Sequence, residues 1–210
     1  MAYFPFFVDL QGKTGLVVGG GRVAARKIQA LLPYGPHLTV CAPSLLPELE
    51  VLPNLTVRRE SFSPALLDDV FFVIAATDDR EENCRIARLC HHRQISVNVA
   101  SPGEESTFLF PALIRRGPLS IGISTSGTSP SAAHLLKEQI EMLLPADLEE
   151  LLLWMDGRRE ELKQSSLPQG QRALLLSQLF SAALQAGRPL SQAEVHALLS
   201  DLQPETEDLS

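Results

Sequence analysis

A short glycine-rich stretch between an apolar run and a helical pattern constrains the fold of this chain more than any other feature. The apolar run, residues 16–18, has the length and β-branched character of a buried strand. Gly19, Gly21 and Ala24 follow with the spacing G-x-G-x-x-G/A, and helical periodicity begins at Val23. In this context the glycines permit a tight turn and a close approach of backbone to a pyrophosphate. The stretch therefore predicts a dinucleotide site at a helix N-terminus, with an ordinary strand-to-helix turn as the alternative.

The composition narrows the class of protein and of partner. Hydrophobic residues make up 45% of the 210 residues, and no apolar run approaches the ~20 residues that a membrane helix needs. The net charge of −7 argues against nucleic-acid and membrane-surface partners. The first residues lack the basic region of a signal peptide, and the three cysteines show no metal-ligand spacing. We therefore expect a cytoplasmic protein with reduced thiols.

Strand-like and helix-like segments alternate over residues 14–100. The clearest buried strand covers residues 70–76, and Asp79 with Glu82 after it is typical of a helix N-cap and its partner. Such alternation gives right-handed crossovers and a mostly parallel sheet. The prediction is an α/β fold with a Rossmann-like, doubly wound parallel sheet.

Polar residues follow two of the predicted strands, at the sheet edge where ligands bind in such folds. Thr77 and Asp78 follow one of these strands, and we interpret them either as cofactor neighbours or as capping residues. Asn98, Ser101 and Glu104 lie at the end of the fifth strand and are predicted to face the same crevice.

The end of the second strand bears on the choice of cofactor. A residue that binds the ribose is expected about 20 residues after the glycines. The chain has Cys41, Ala42, Pro43 and Ser44 there, with no acid for the ribose hydroxyls and no Arg for a 2′-phosphate. Backbone groups and Ser44 remain as contacts. The absence of a basic residue favours NAD over NADP without deciding between them.

The pattern changes after residue 107. Two apolar segments, residues 108–114 and 119–125, flank a turn that contains Arg115 and Arg116, and a helix follows. This β-β-α unit is too small to bury its apolar faces, so we expect it to dimerise. The two arginines either supply cations that bind carboxylates or belong to a solvated turn without a binding role. The Ser/Thr run 124–129 before the helix is an anion site or a cap.

The predicted domains are residues 1–113, 114–145 and 146–210. The last is entirely helical in pattern and contains no recognisable chemical motif. His91 and His92 end a predicted helix, where imidazoles interact favourably with the helix dipole. They lack i, i+4 spacing and a carboxylate partner, so no metal site is predicted.

Five short motifs occur in a fixed order along the chain. They are residues 19–27 (GGGRVAARK), 75–79 (AATDD), 97–99 (VNV), 108–112 (FLFPA) and 127–130 (GTSP). Together they resemble the precorrin-2 dehydrogenase family, the dehydrogenase and ferrochelatase part of sirohaem synthases. The resemblance implies a Rossmann domain, a dimerisation domain and a helical domain in a homodimer. It also implies that precorrin-2 is oxidised to sirohydrochlorin with NAD as hydride acceptor, and in bifunctional members that ferrous iron is then inserted.

The resemblance also implies roles for individual residues. NAD would contact Arg22 and Val23 after the predicted cofactor glycines Gly19, Gly20 and Gly21, and also Pro43 and Ser44 after the second strand. Ser124, Thr125, Gly127 and Thr128 would line the tetrapyrrole side.

One position departs from the family pattern. Ser101 stands where relatives carry the Asp that is tied to both activities, and a serine hydroxyl is a poor base at neutral pH. We therefore expect dehydrogenation to persist, with Glu104, Asp78 or water taking the proton, and chelation to be weak or absent. Two alternatives remain, a carrier or sensor that binds NAD and tetrapyrrole without chemistry, and a different oxidoreductase on the same frame.

Overall fold

The computed structural model describes residues 3–100 and 105–201, without the side chains of residues 200 and 201. The chain divides into two units, Met1–Phe110 and Pro111–Ser210. The finer predicted division, which separates residues 114–145 from residues 146–210, stays a prediction. Ser101 and Glu104 lie outside the described residues.

Five parallel strands form the sheet of the first unit in the order β3-β2-β1-β4-β5. Their bounds are β1 Thr14–Val18, β2 His37–Cys41, β3 Leu55–Arg58, β4 Phe72–Ala75 and β5 Ser96–Val99. The strand order turns in opposite directions on the two sides of β1, so the carboxyl ends of β1 and its neighbours open a crevice there. The predicted Rossmann-like sheet is confirmed.

Helices cover both faces of this sheet. They are α1 Arg22–Leu31, α2 Pro47–Glu50 and α3 Arg80–His92, with 3₁₀ turns at Leu32–Tyr34 and Pro64–Leu67. Val17 of β1 packs in one core cluster with Ile28 of α1. The neighbouring Leu16 and Val18 pack in a second cluster with Ile86 of α3. Because successive strand residues point to opposite faces, both faces are buried and the doubly wound arrangement follows.

The second unit begins with an antiparallel hairpin, β6 Ala112–Arg116 and β7 Leu119–Ile123, followed by helix α4 Pro130–Leu143. Ser129 caps α4, because its Oγ accepts a hydrogen bond from the N–H of Ala132 at 3.2 Å. The predicted β-β-α order is present. The first predicted strand, however, starts four residues later than the apolar segment that suggested it, because Phe108 and Phe110 pack in the core of the first unit.

Three further helices complete the second unit: α5 Leu148–Lys163, α6 Gln169–Ala186 and α7 Gln192–Asp201. Leu151, Leu175 and Leu179 form the centre of their buried core. A capping box opens α7, since Glu194 accepts a hydrogen bond from the Ser191 N–H at 2.7 Å and donates its own N–H to Ser191 Oγ. In the part of the chain that the structure describes, no helix is long and apolar enough to cross a membrane.

Candidate functional site

A cavity of about 680 Å³ lies at the carboxyl ends of the parallel strands in the first unit. We call it the β1–α1 cavity, because the turn from β1 into α1 forms one of its walls. A cavity of this size suits a cofactor or small ligand. Nine of the ten residues predicted to contact the cofactor line it: Gly19, Gly20, Gly21, Arg22, Val23, Pro43, Ser44, Thr77 and Asp78.

The first two glycines allow three segments of backbone to meet at this cavity. Gly19 has φ +118°, and a Cβ there would lie 2.2 Å from the carbonyl oxygen of Ala76. A Cβ on Gly20 would lie 2.3 Å from the carbonyl oxygen of Ser44. Larger residues at either position would therefore push apart the turn and its neighbouring loops.

Gly21 differs from the other two glycines because a Cβ there would meet no protein atom within 4 Å. It is the N-cap residue of α1, and no side chain caps this helix. The first N–H groups of a helix have no intrahelical acceptor, and the helix dipole adds positive potential there. The structure thus leaves open space beside unused donors, which fits the requirements of a pyrophosphate.

Charge is unevenly distributed around the cavity. Arg22 is the single Arg or Lys among the described residues that line it, whereas Asp78, Asp79 and Glu82 lie on the β4–α3 side. Glu82 pairs with Arg85 at 2.7 Å, and this hydrogen bond lowers the pKa of the Glu82 carboxyl. Glu82 is therefore not the reciprocal partner of the Asp79 cap that the sequence suggests.

Hydrogen bonds with Asp79 and Asn83 fix the backbone of the loop between β4 and α3. Asp79 caps α3 as predicted, since its Oδ1 accepts from the N–H groups of Glu81 at 2.8 Å and Glu82 at 3.2 Å. Thr77 is bound by the side chain of Asn83, which is fully buried. Asn83 Oδ1 accepts from the Thr77 N–H at 3.1 Å, and Asn83 Nδ2 donates to the Thr77 carbonyl at 3.0 Å. The Thr77 hydroxyl lies 2.8 Å from the same Oδ1.

Asn83 is one of the residues that sequence reasoning missed. Its amide fixes the backbone of one cavity wall, although nothing in the helical pattern around it indicates that role. Ser61 and Phe62 were also missed, and both line the cavity. They follow β3, so the rule that ligands lie beyond the carboxyl ends of strands would have indicated them had it been applied to that strand.

Asn98 does not line the described cavity. Its Oδ1 accepts a hydrogen bond from Lys27 Nζ at 2.7 Å, and its Nδ2 donates to the Phe108 carbonyl at 2.9 Å. The Lys27 ammonium also lies 3.9 Å from the centre of the Phe110 ring. Burial, with a smaller contribution from the charge of Arg26, lowers the pKa of Lys27 to about 8. Asn98 thus joins α1, β5 and residue 108, and its predicted contact with the cofactor stays a prediction.

The predicted catalytic residues fall into two groups. Asp78 is exposed on the wall of the β1–α1 cavity. Ser101 and Glu104 lie outside the described residues, so their predicted roles stay predictions. His91, which the sequence places outside any metal site, has its Nε2 2.9 Å from the Glu105 carbonyl oxygen. Among residues 3–100 and 105–201, no cluster of three or more His, Cys, Asp or Glu could hold a metal ion.

The predicted substrate-binding residues of the second unit lie at opposite ends of its hairpin. Arg115 pairs with Ser120 and Arg116 with Leu119, whereas Ile123, just before the Ser/Thr run, pairs with Ala112. Four or five residues of extended strand separate the β7 partners of the arginines from Ser124, a distance of roughly 14–17 Å. The arginines and the Ser/Thr run therefore do not form one site within this unit.

The Ser/Thr run itself forms a tight turn into α4. The Thr125 hydroxyl accepts from the Ser129 N–H at 3.1 Å and donates to the Ser129 carbonyl at 3.0 Å. Ser124 Oγ accepts from the Ser126 N–H at 3.1 Å, and Ser126 and Gly127 both have positive φ. These bonds support the capping interpretation, while Gly127 and Thr128 are exposed.

Two family models match the chain. One, described as NAD(P)-binding, covers residues 6–112, and the other, described as the central part of sirohaem biosynthesis proteins, covers residues 116–143. The first contains the whole β1–α1 cavity. The second contains β7 and α4, but only the last residue of β6.

Curated relatives and a solved structure agree with these matches. A siroheme synthase of Sodalis glossinidius (strain morsitans) is 40% identical over 201 residues, which is 92% of this chain and 42% of the relative. One from Tolumonas auensis (strain DSM 9187 / NBRC 110442 / TA 4) is 41% identical over 165 residues, 78% of this chain and 35% of the relative. The chain thus spans about two fifths of such relatives. The solved structure of SirC, a precorrin-2 dehydrogenase, superposes with a TM-score of 0.72 at 26% identity, covering 95% of this chain and 98% of that one.

Proposed function

This chain belongs to the precorrin-2 dehydrogenase family, which includes the N-terminal region of sirohaem synthases, and we propose that it oxidises precorrin-2 to sirohydrochlorin with NAD⁺ as hydride acceptor. The observation that carries the proposal is the β1–α1 cavity, where the open side of Gly21 lies at the uncapped N-terminus of α1. That combination offers unused N–H donors to a pyrophosphate in a family of NAD(P)-binding proteins.

The cavity residues fit a dinucleotide along its length. Gly19 and Gly20 bring the turn close to the neighbouring loops, and the N–H groups of Arg22 and Val23 begin the helix. Pro43 and Ser44 line the side where a ribose binds in this fold. Phe62 adds an aromatic surface for the base. No Lys or Arg of the described lining lies after β2, which favours NAD over NADP.

Oxidation of precorrin-2 removes a hydride and a proton. Bound NAD⁺ supplies the hydride acceptor, and the protein must align the reacting carbon and take up the proton. Alignment alone can supply much of the rate. We assign the proton to Glu104, Asp78 or water, since Ser101 lacks a strongly basic group. For the tetrapyrrole we assign contacts to Ser124, Thr125, Gly127 and Thr128. Arg115 and Arg116 lie at the other end of the hairpin, so we do not assign them to this group of contacts.

The experiment mixes the purified chain with precorrin-2 and either NAD⁺ or NADP⁺, and follows the near-ultraviolet absorbance of the reduced cofactor. We expect NADH to form together with sirohydrochlorin, and NADP⁺ to react more slowly. A protein that binds both compounds without producing NADH would be the alternative, a carrier or sensor, which the serine at position 101 favours.

Iron insertion is the second activity in the family, and we propose that it is weak in this chain. Chelation requires the pyrrole protons to leave. At position 101 this chain has a serine where the family carries an acid that could take up such protons. Replacing Ser101 with Asp should therefore raise ferrous iron insertion into sirohydrochlorin by about tenfold or more. No gain in the Ser101→Asp protein, with dehydrogenation retained, would contradict this assignment.

We also propose that the working form is a homodimer in the cytoplasm. The supporting observation is the apolar surface of α4, where Leu135, Met142 and Leu143 are 56%, 78% and 80% exposed. Exposed apolar patches of this kind favour association. Sedimentation equilibrium at micromolar concentration should give twice the chain mass of 23.0 kDa. A monomer under those conditions would contradict the dimer.

A further inference from the structure

The helical part of the second unit contains a cavity that the proposed reaction does not use. It measures about 830 Å³ and lies between α5, α6 and the turn that joins β6 to β7. We call it the α5–α6 cavity. Its walls come from segments distant in sequence: Pro118 on the turn, Leu119 at the start of β7, and residues between 152 and 176 on the helices and at their ends.

One wall of this cavity is apolar. Leu119, Leu152, Met155, Leu162 and Leu176 line it, together with Leu153, which is 58% exposed. An apolar surface of this extent is suited to a hydrophobic ligand. These side chains lack the burial that the leucines of the neighbouring core obtain, and a bound apolar ligand would supply it.

The polar residues of the cavity are mainly cationic. Arg159, Lys163 and Arg172 line it, with Asp156 as the acid among the described lining residues. Such a cluster stands out in a chain of net charge −7. It does not suit nucleic acid, because the charges lie beside an apolar surface and do not follow a continuous basic stripe.

Arg159 and Arg172 can still bind a carboxylate. Within the described part of the chain, no carboxylate lies within salt-bridge distance of Arg159 or Arg172, whereas Lys163 pairs with Glu160. The Nε atom of Arg172 is buried and has no hydrogen-bond partner among those residues, and its Nη1 reaches the Lys163 carbonyl at 3.5 Å. A buried guanidinium nitrogen without an acceptor is costly, and a bound carboxylate would satisfy it.

From this combination we infer that the α5–α6 cavity is a second binding site for a tetrapyrrole with carboxylate side chains, the macrocycle on the leucine wall and its carboxylates on Arg159 and Arg172. The identity of the ligand rests on the proposed function, since tetrapyrroles of this class are its substrate and product. The site is distinct from the one proposed at Ser124–Thr128. Leu119 lies at the start of β7 and residue 124 follows its end, so roughly 17 Å of strand separates them.

The test measures binding of uroporphyrin III, a stable porphyrin whose side chains all end in carboxylates, to the 210-residue chain by equilibrium dialysis. We expect Arg159→Gln to weaken one class of site by about tenfold, and the Arg159→Gln/Arg172→Gln protein to bind one porphyrin fewer per chain. Arg158→Gln is the matched control. Arg158 is adjacent in sequence but pairs with Glu161 and does not line the cavity, so its loss should leave binding unchanged.

Two results would overturn the inference. One is porphyrin binding that is equal in the parent, Arg158→Gln and Arg159→Gln proteins. The other is a parallel loss of porphyrin binding and of kcat/KM for precorrin-2 in Arg159→Gln, which would place Arg159 in the catalytic site. Arg159 is exposed, so its replacement should not impair folding, and thermal unfolding of each variant verifies this. If the parent forms no NADH but binds porphyrin through Arg159, the proposed function fails and the second site stands.

Discussion

Replacing Gly21 with alanine is expected to weaken NAD⁺ binding by at least about tenfold while leaving the fold intact. Gly21 has an ordinary negative φ, and the added methyl group meets no protein atom within 4 Å. It would instead occupy the open side of the β1–α1 cavity, where backbone must approach the pyrophosphate. The free energy of unfolding should change by less than about 1 kcal/mol, because loss of a glycine N-cap and lower entropy of the unfolded chain nearly offset each other.

Isothermal titration with NAD⁺ and thermal unfolding of the same protein give the two quantities. Gly19→Ala is the contrasting variant. Its methyl group would lie 2.2 Å from the Ala76 carbonyl oxygen at a backbone φ of +118°, so we expect a loss of stability of roughly 2–4 kcal/mol. An unchanged affinity for NAD⁺ in Gly21→Ala would mean that the phosphates do not pass this turn.

Replacing Asn83 with alanine is expected to cost about 2–4 kcal/mol of stability and to raise the KM for NAD⁺. Asn83 is fully buried, and its amide binds both the N–H and the carbonyl of Thr77. Alanine leaves a gap and removes both bonds from a loop that lines the cavity. For a chain of this size the midpoint of thermal unfolding should fall by roughly 4–16 °C.

Thr77→Val is the matched control for Asn83→Ala. It removes the hydroxyl, which lies 2.8 Å from Asn83 Oδ1, but keeps both backbone bonds to Asn83. We expect it to cost no more than about 1 kcal/mol. Equal effects of the two substitutions, or a full effect on stability with no change in KM for NAD⁺, would show that Asn83 does not position the cofactor wall.

The sheet and the glycine turn could be predicted because each depends on local sequence. The buried strand β4 has a continuous apolar pattern, and the turn after β1 carries glycines at positions where a Cβ would clash. The N-caps Asp79 and Ser129 could be predicted equally well, since capping needs only a short polar side chain beside the first N–H groups of the helix.

The boundary between the two units was harder to predict. Residues 108–114 form one apolar segment in sequence, yet Phe108 packs edge-on against Phe72 at 6.3 Å and β6 begins only at Ala112. Apolar character alone does not say which core a side chain enters. Pro111, which lacks an N–H, marks the change, and that signal was available.

The clamp of Asn83 on Thr77 and the α5–α6 cavity could not be found from sequence patterns. The clamp depends on how the chain turns between β4 and α3, and the cavity brings Leu119 together with two helices. Neither arrangement has a period or a motif. Both follow from tertiary packing, which places side chains together regardless of their spacing.

A single-turnover reaction tests NAD-dependent dehydrogenation at the β1–α1 cavity most directly. The parent and Gly21→Ala proteins are mixed with precorrin-2 and subsaturating NAD⁺ without oxygen, and NADH and sirohydrochlorin are measured together. We predict equal amounts of the two products, formed at one rate in the parent and at least about tenfold more slowly in Gly21→Ala. Sirohydrochlorin without NADH, or equal rates in both proteins, would contradict the account.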